Sequence, residues 1–346
     1  MRQKFFIFIF ILAALQSSAQ QRPYYTQYVL NNYIINPAVA GIENYWDVKA
    51  SHRHQWVGLD GAPVTTYFTL QGPLTKTNTP SENPTSFHAK GENPRGHVFL
   101  EEYKSTDPHH GVGLTILNDK AGPINRFALY GSYAYHLPIN EKTSFAAGAS
   151  LGIQNISLKP ASLDFGPAYP VDPVVAQSTY INNVRPDINV GVWVYNARWF
   201  AGASAQQIVP ERIGFNDGKI GGDSVTLLDG RLVPHLFVQA GYRLLLGDDI
   251  SMLPSVTLKY INPVPLSFDA NIKFQYRDII WAGASLRTGD GFAAMLGVNI
   301  NSTLNIGYSY DYTTSRLNAV SNGTHEIVIG FLLNNGYGDW CPRRVW

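Results

Sequence analysis

The fold is decided by the stretch LSFDANIKFQYR, which runs from Leu266 to Arg277. Every even-numbered position in this stretch is apolar and every odd-numbered position is polar. Successive side chains of a β-strand point to opposite faces, so one face of such a strand would be apolar and the other would carry cations, an acid and amides. The stretch therefore predicts an amphipathic strand.

The same alternation recurs along the chain after residue 43. It predicts fourteen strands, at 44–57, 61–72, 109–118, 124–137, 142–156, 186–196, 198–207, 234–246, 251–261, 265–277, 279–288, 291–301, 303–313 and 324–334. Most of these segments are long enough for a tilted membrane strand, which needs about 9–11 residues. Bacterial outer-membrane barrels have an even number of antiparallel strands. We therefore predict an all-β fold, an antiparallel transmembrane β-barrel of about 14 strands.

The composition agrees with a barrel that meets lipid through its strands. Charged residues make up 15% of the 346 residues, against about 25% in ordinary soluble domains. The net charge of +1 provides no field that would attract nucleic acid. The mean hydropathy of −0.10 is too polar for a bundle of transmembrane helices. The single cysteine, Cys341, excludes an intramolecular disulfide.

A soluble β-sandwich is the alternative fold, since it also produces alternating strands. A sandwich explains less well why the polar faces are rich in glycine and serine, as at Gly148, Ser150 and Gly152. It also leaves the tyrosines near strand ends unexplained, whereas aromatic side chains form girdles at the two interfaces of a membrane barrel. The membrane barrel is therefore the preferred interpretation.

The lengths of the connections give an independent indication. A barrel that starts in the periplasm has its odd-numbered connections outside, where they are usually long, and its even-numbered turns inside. Apart from connection two, the longest predicted connections, 157–185, 208–233 and 314–323, are numbers five, seven and thirteen. Connection two, residues 73–108, does not follow the rule and predicts a periplasmic insertion.

The two ends of the chain lie outside the strand pattern. Residues 1–19 have two early cations followed by an apolar run, Phe5–Leu15, and small residues, which predicts a signal peptide cleaved before Gln20. Residues 20–43 are aromatic and rich in asparagine, and we expect them to pack inside or beneath the barrel, 44–335, as a short plug-like segment. Residues 336–346 would form a periplasmic C-terminal tail.

Several blocks of sequence stand in a specific order. They include YVLNNYIINPAVAG at Tyr28–Gly41, RHQWVG at Arg53–Gly58, NDKAGP at Asn118–Pro123 and GYSYDY at Gly307–Tyr312. In these blocks the chain resembles the PorP/SprF family of type IX secretion system membrane proteins, over nearly the whole mature sequence. The resemblance implies an outer-membrane β-barrel that takes part in the secretion and surface attachment of large adhesins, including those used in gliding, or that works with periplasmic components of the machine.

Charged residues on the polar faces of the later strands are the main candidates for functional residues. They are Arg243, Lys259, Asp269, Lys273, Arg277, Arg287, Asp311 and Glu326. A cation facing lipid near the midplane would cost about 2–4 kcal/mol, so we expect these side chains to face the lumen. There they would either brace the barrel wall or contact a ligand directly.

Connection five is the main candidate for contact with a protein partner. Its aromatic residues Phe165, Tyr169 and Tyr180 belong to a class of side chains enriched at protein interfaces. The same residues could instead form a self-packed lid over the pore. Both interpretations remain open at this point.

No group of residues predicts an enzyme, a cofactor or a metal site. The sequence displays no clustered nucleophile and base, and the pairs His52 with His54 and His109 with His110 lack a third ligand at a metal-binding spacing. We therefore expect a non-enzymatic outer-membrane protein, exported with a cleaved signal peptide, that docks the C-terminal domain of a secreted adhesin. Its expected partners are that domain, type IX secretion components in the periplasm or outer membrane, and the lipid bilayer, but no nucleic acid. The alternative function is a diffusive porin-like channel for small solutes.

Overall fold

The structure is a computed structural model that describes most of the chain. The described residues are 25–74, 93, 96–159, 181–209, 212–213, 219–220, 223–224, 230–231, 233–262, 264–301 and 303–335. The predicted signal peptide, the predicted tail 336–346 and the contact candidates Phe165, Tyr169 and Tyr180 lie outside the described residues.

Fourteen long antiparallel strands form the wall of a barrel in the described part of the chain. They are β1 Trp46–His54, β2 Val64–Pro73, β3 His109–Ala121, β4 Ile124–Asn140, β5 Thr143–Leu158, β6 Ile181–Tyr195, β7 Trp199–Gln206, β8 His235–Tyr242, β9 Ile250–Ile261, β10 Val264–Tyr276, β11 Ile280–Arg287, β12 Gly291–Asn299, β13 Leu304–Thr313 and β14 Thr324–Leu333. Leu244–Leu245 continues β8 against β9. Four two-residue strands, Arg212–Ile213, Lys219–Ile220, Asp223–Ser224 and Gly230–Arg231, pair between β7 and β8.

The barrel is closed by pairing between its first and last strands. Each strand pairs with its neighbours in sequence, and β1 pairs with β14, with Trp46 opposite Leu333 and His54 opposite His325. Closure gives every strand of the barrel wall a partner on both sides, as strands that cross a bilayer require. The prediction of a closed antiparallel barrel of about 14 strands is confirmed.

The alternation that predicted the fold separates the outer surface from the interior. On β10, the outward side chains of Leu266 and Phe268 are 59% and 41% exposed, whereas those of Asp269 and Lys273 are 3% exposed. Outward apolar side chains on the other strands follow the same rule. The apolar face therefore covers the outside of the barrel, and the polar face encloses the lumen.

The two ends of the barrel differ. One end, here called the loop end, carries the connections after the odd-numbered strands. The other, the turn end, carries the connections after the even-numbered strands and the start of β1.

At the turn end, α1 (His97–Glu102) places Leu100 against Ala197 and Leu245. Lys142 Nζ donates to the carbonyl of Glu101 at 2.7 Å. Helix α1, which belongs to the insertion between β2 and β3, thus packs against the neighbouring turns at this end of the barrel.

The remaining helices in the described residues are short. Three 3-10 helices, Gln27–Leu30, Asn32–Ile34 and Pro37–Val39, precede β1, and a fourth, Arg316–Ala319, lies between β13 and β14. Within the part of the chain that the structure describes, no helix is both long and apolar enough to span a membrane.

Candidate functional site in the lumen and at the loop end

Residues 25–45 run through the interior of the barrel, from the loop end to the turn end. Near the loop end, the backbone N–H of Thr26 donates to Glu326 on β14 at 2.7 Å. Further along, the side-chain amide of Asn36 donates to the carbonyl of Val192 on β6 at 3.0 Å. Because β14 and β6 lie on opposite walls of the barrel, these contacts place the segment inside the lumen.

Glycines in the wall allow this segment to approach closely. A Cβ atom at Gly111 on β3 would stand 1.9 Å from the carbonyl oxygen of Ala40, and one at Gly148 on β5 would stand 2.7 Å from the Cα of Ala38. Real Cβ contacts at these distances essentially never occur. Part of the glycine-rich inner face noted in the sequence is therefore the surface on which the N-terminal segment packs.

Two stacked histidines contact the segment where it leaves the lumen. The rings of His109 on β3 and His136 on β4 lie 4.5 Å apart and almost parallel. The Nε2 atom of His136 lies 2.8 Å from the carbonyl oxygen of Ala40, and that of His109 lies 3.1 Å from the carbonyl oxygen of Gly41. Among the described residues, no group of three or more His, Cys, Asp or Glu side chains could hold a metal ion. Both rings lie at hydrogen-bonding distance from the backbone of the segment.

Four of the predicted lumen residues form one ion-pair cluster near the loop end. Arg53 pairs with Asp311 at 2.6 Å and with Glu326 at 3.0 Å. Arg287 lies 3.4 Å from Asp269 and 3.7 Å from Asp311. All five side chains are almost completely buried, so their charges interact in a medium that screens them little.

Thr26 joins the N-terminal segment to this cluster. Its hydroxyl donates to Asp311 Oδ2 at 2.5 Å and accepts from Arg53 Nη1 at 2.7 Å. The backbone N–H of Gln27 donates to Glu326 at 3.3 Å. Hydrogen bonds to charged groups are about twice as strong as neutral ones, so the cluster acts as an anchor for residues 26 and 27.

The other predicted lumen residues are scattered along the interior. Lys259 is buried, with Nζ 6.0 Å from the centre of the Phe237 ring. Lys273 lines a cavity of about 50 Å³ at the turn end, beside Glu43 of the N-terminal segment. Arg243 is 1% exposed and follows the end of β8. Lys259 also interacts electrostatically with Asp269 of the ion-pair cluster.

Arg277 does not face the lumen, which corrects the expectation from the sequence. It lies in the turn between β10 and β11 with a φ of 47°, so the strand alternation has already ended there. Its guanidinium donates to Asp249 in a neighbouring turn at 2.8 and 2.9 Å, with a third of the side chain exposed. These hydrogen bonds hold the pKa of Asp249 below its usual value.

A cavity of about 630 Å³ opens at the loop end, and we call it the vestibule. It extends from β3 and the connection between β1 and β2 on one side of the barrel to β9, β10 and β11 on the other. The described residues that line it include Trp56, Asp119, Lys259, Ile261, Arg287 and Asp290. A cavity of this volume falls within the ordinary range for binding sites, about 300–1,000 Å³.

Two residues of this region were not among the site candidates. Arg53 lies on β1, where Asp47, Lys49, Ser51 and Arg53 alternate with outward residues. The same periodicity that identified charges on the later strands could have found it. Trp56, in the connection between β1 and β2, had no such signal.

The segment Gly148–Gly152 reads GASLG and matches the nucleophile motif G-x-S-x-G of hydrolases. In that motif the serine sits on a sharp turn between a strand and a helix. Here Ser150 lies in the middle of β5 and its hydroxyl accepts a hydrogen bond from Asn189 at 2.8 Å. Ser150 therefore has the geometry of a residue in the barrel wall and not that of the serine in the hydrolase motif.

The amino-acid sequence matches a known protein family over most of its length. The family described as Type IX secretion system membrane protein PorP/SprF matches residues 17–331. The chain belongs to this family. The resemblance seen in the sequence blocks is thereby confirmed, and family and fold together identify an outer-membrane β-barrel of type IX secretion.

Solved structures of other outer-membrane barrels are similar at low identity. They include the toluene transporter TbuX of Ralstonia pickettii, with 9% identity over 86% of this chain and 92% of that chain and a TM-score of 0.45. The toluene transporter TodX of Pseudomonas putida has 11% identity over 90% and 94%, with a TM-score of 0.42. Omp33 of Acinetobacter baumannii has 10% identity over 85% and 100%, with a TM-score of 0.44. Among curated proteins, none matches this chain.

Proposed function

We propose that this outer-membrane barrel docks the C-terminal domain of a secreted adhesin on its extracellular side, in support of adhesin attachment and gliding, and that it is not an enzyme. The supporting observation is the packing of residues 25–45 through the lumen. A lumen occupied by the protein's own chain favours a function other than the free passage of solutes. Such a barrel can act through the surfaces that it presents at its two ends.

The loop end is the end that we assign to the cell exterior. It carries the three longest connections after odd-numbered strands, between β5 and β6, β7 and β8, and β13 and β14. In the last of these, Val320 is 57% exposed, and an exposed apolar side chain in a loop suits protein contact. Phe165, Tyr169 and Tyr180 in the connection between β5 and β6 remain our candidates for the docking residues.

The proposal includes the processing and layout of the chain. Residues 1–19 are removed as a signal peptide, 20–43 act as the plug, 44–335 form the barrel and 336–346 lie in the periplasm. The turn end, with the attached insertion between β2 and β3, faces the type IX secretion components in the periplasm.

Docking is tested by replacing Phe165, Tyr169 and Tyr180 together with alanine. The expected result is a several-fold loss of adhesin from the cell surface, measured by labelling intact cells. The matched control replaces the lipid-facing Leu151 with alanine, which should leave retention unchanged. Both variants must reach the membrane as folded barrels, judged by heat-modifiable migration in gels. Unchanged retention in the triple variant would reject docking through this connection.

The alternative function is a diffusive channel for small solutes, and the vestibule is the feature that favours it. This function requires residues 25–45 to leave the lumen. Planar-bilayer recordings of the purified protein separate the two functions. Steady conductance without any partner supports the channel, whereas a closed baseline supports docking.

A further inference from the structure

Trp56 holds an unusual backbone conformation at the edge of the vestibule. Its φ is 45°, in the left-handed region that bulky residues rarely adopt. Such strain persists only where the surroundings impose it, and it concentrates at functional sites. Here the Trp56 N–H donates to Thr324 Oγ1 at 3.1 Å, and the Val57 N–H donates to the carbonyl of Gly323 at 2.9 Å. The start of β14 and the residue before it thus fix the backbone that carries the Trp56 indole at the vestibule.

Carboxylates lie beside this indole. Asp290 lines the vestibule with Trp56, and 37% of its side chain is exposed. Asp311 lines a small recess that shares Trp56 and Asp290 with the vestibule. Asp311 is 8% exposed, and its Oδ1 atom is buried without a hydrogen-bond partner among the described residues. A buried carboxylate oxygen of this kind favours a donor that enters from the recess.

The charges around the vestibule floor are unbalanced. The described carboxylates are Asp119, Asp269, Asp290, Asp311 and Glu326, and the described cations are Arg53, Arg126, Lys259 and Arg287. Five acids against four cations leave a formal charge of −1. This excess attracts a positively charged group and disfavours an acidic one.

We propose that the vestibule receives an arginine side chain from the docked domain, between the Trp56 ring and Asp290. A planar guanidinium can donate two parallel hydrogen bonds to a carboxylate while it stacks on an aromatic face. The vestibule, at about 630 Å³, has room for the tip of a peptide loop. This inference rests on the proposed docking function and identifies the chemistry of its contact.

The test uses the full-length protein in detergent and two short peptides. The probe is acetyl-Gly-Arg-Gly-amide, and its control carries citrulline, which has nearly the same shape but no charge. We expect calorimetry to show at least tenfold weaker binding of the citrulline peptide. Asp290→Asn should weaken the arginine peptide about tenfold, whereas Asp60→Asn, an exposed acid at the same end, should not.

A second variant keeps the inference testable if Asp290→Asn disturbs Arg287. Trp56→Leu retains every carboxylate and should still weaken the arginine peptide several-fold, because the stacking face is lost. Equal binding of the two peptides, or no effect of either variant, overturns the inference.

Adhesin retention on cells separates this inference from docking itself. Loss of retention in the triple variant at Phe165, Tyr169 and Tyr180, combined with normal retention in Asp290→Asn, overturns the arginine contact and leaves docking intact. Normal retention in the triple variant rejects docking through that connection, whatever the peptides do.

Discussion

Gly111→Ala should force the N-terminal segment away from the barrel wall. The new Cβ would stand 1.9 Å from the carbonyl oxygen of Ala40, and contacts below 3.0 Å essentially never occur. The backbone at Ala40 must therefore move by at least 3.0 − 1.9 = 1.1 Å. The hydrogen bond to His136, now 2.8 Å long, would lengthen or break as Ala40 moves.

The cost of this displacement follows from two contributions. Overpacking of a well-packed site costs about 1–3 kcal/mol, and loss of one hydrogen bond costs about 0.5–1.5 kcal/mol. A total near 3 kcal/mol would raise the ratio of displaced to seated segment by roughly a hundredfold or more. The barrel itself should remain folded, because the strand pairing around Gly111 is unchanged.

Single-channel recording in planar bilayers measures the displaced state directly. The wild-type protein should give a nearly closed baseline, and Gly111→Ala should open frequently. Gly131→Ala is the matched control, since a Cβ at Gly131 on the neighbouring strand β4 meets nothing within 4 Å. An equally closed baseline in Gly111→Ala and Gly131→Ala would show that close packing at Ala40 does not keep the lumen shut.

Three further predictions concern stability and attachment. Arg53→Met should lower the free energy of unfolding by about 3–5 kcal/mol, because Glu326 would stay buried without its cation, and denaturant titration in detergent measures this. Asp249→Asn should lower the melting temperature slightly at pH 7. Because Arg277 lowers the pKa of Asp249, this difference should persist above the ordinary carboxyl pKa of about 3.9 and vanish as the pH falls through the lowered value. Leu100→Ser should speed protease cleavage of the insertion without changing the barrel, and equal cleavage rates would contradict the packing of Leu100.

The strands could be predicted from sequence because lipid and lumen impose opposite demands on alternate residues. The predicted segment 265–277 corresponds to Val264–Tyr276, and 303–313 corresponds to Leu304–Thr313. The largest difference is at β6, which begins at Ile181 although the alternation predicted 186. Part of the predicted connection therefore belongs to the wall.

The site could be predicted only in part. Charged residues on the inner face of a strand are visible in the pattern, but the pattern does not show which of them meet across the lumen. Asp269 and Arg287 lie on adjacent strands, whereas Arg53 reaches Asp311 across β14. Arg277 was wrongly predicted to face the lumen because alternation does not reveal where a strand turns. Thr26 belongs to a segment without the strand alternation. The sequence pattern therefore could not predict which residues Thr26 contacts.

The hydrogen bonds of Thr26 lie at the seam of the barrel, where the first strand pairs with the last. Arg53 belongs to the first strand, while Asp311 and Glu326 belong to the last two. The ion pairs across this seam therefore receive their additional hydrogen bonds only when the leading residues of the chain lie inside the barrel. Seating of the leading segment and pairing of the first strand with the last are thus stabilised by the same three side chains.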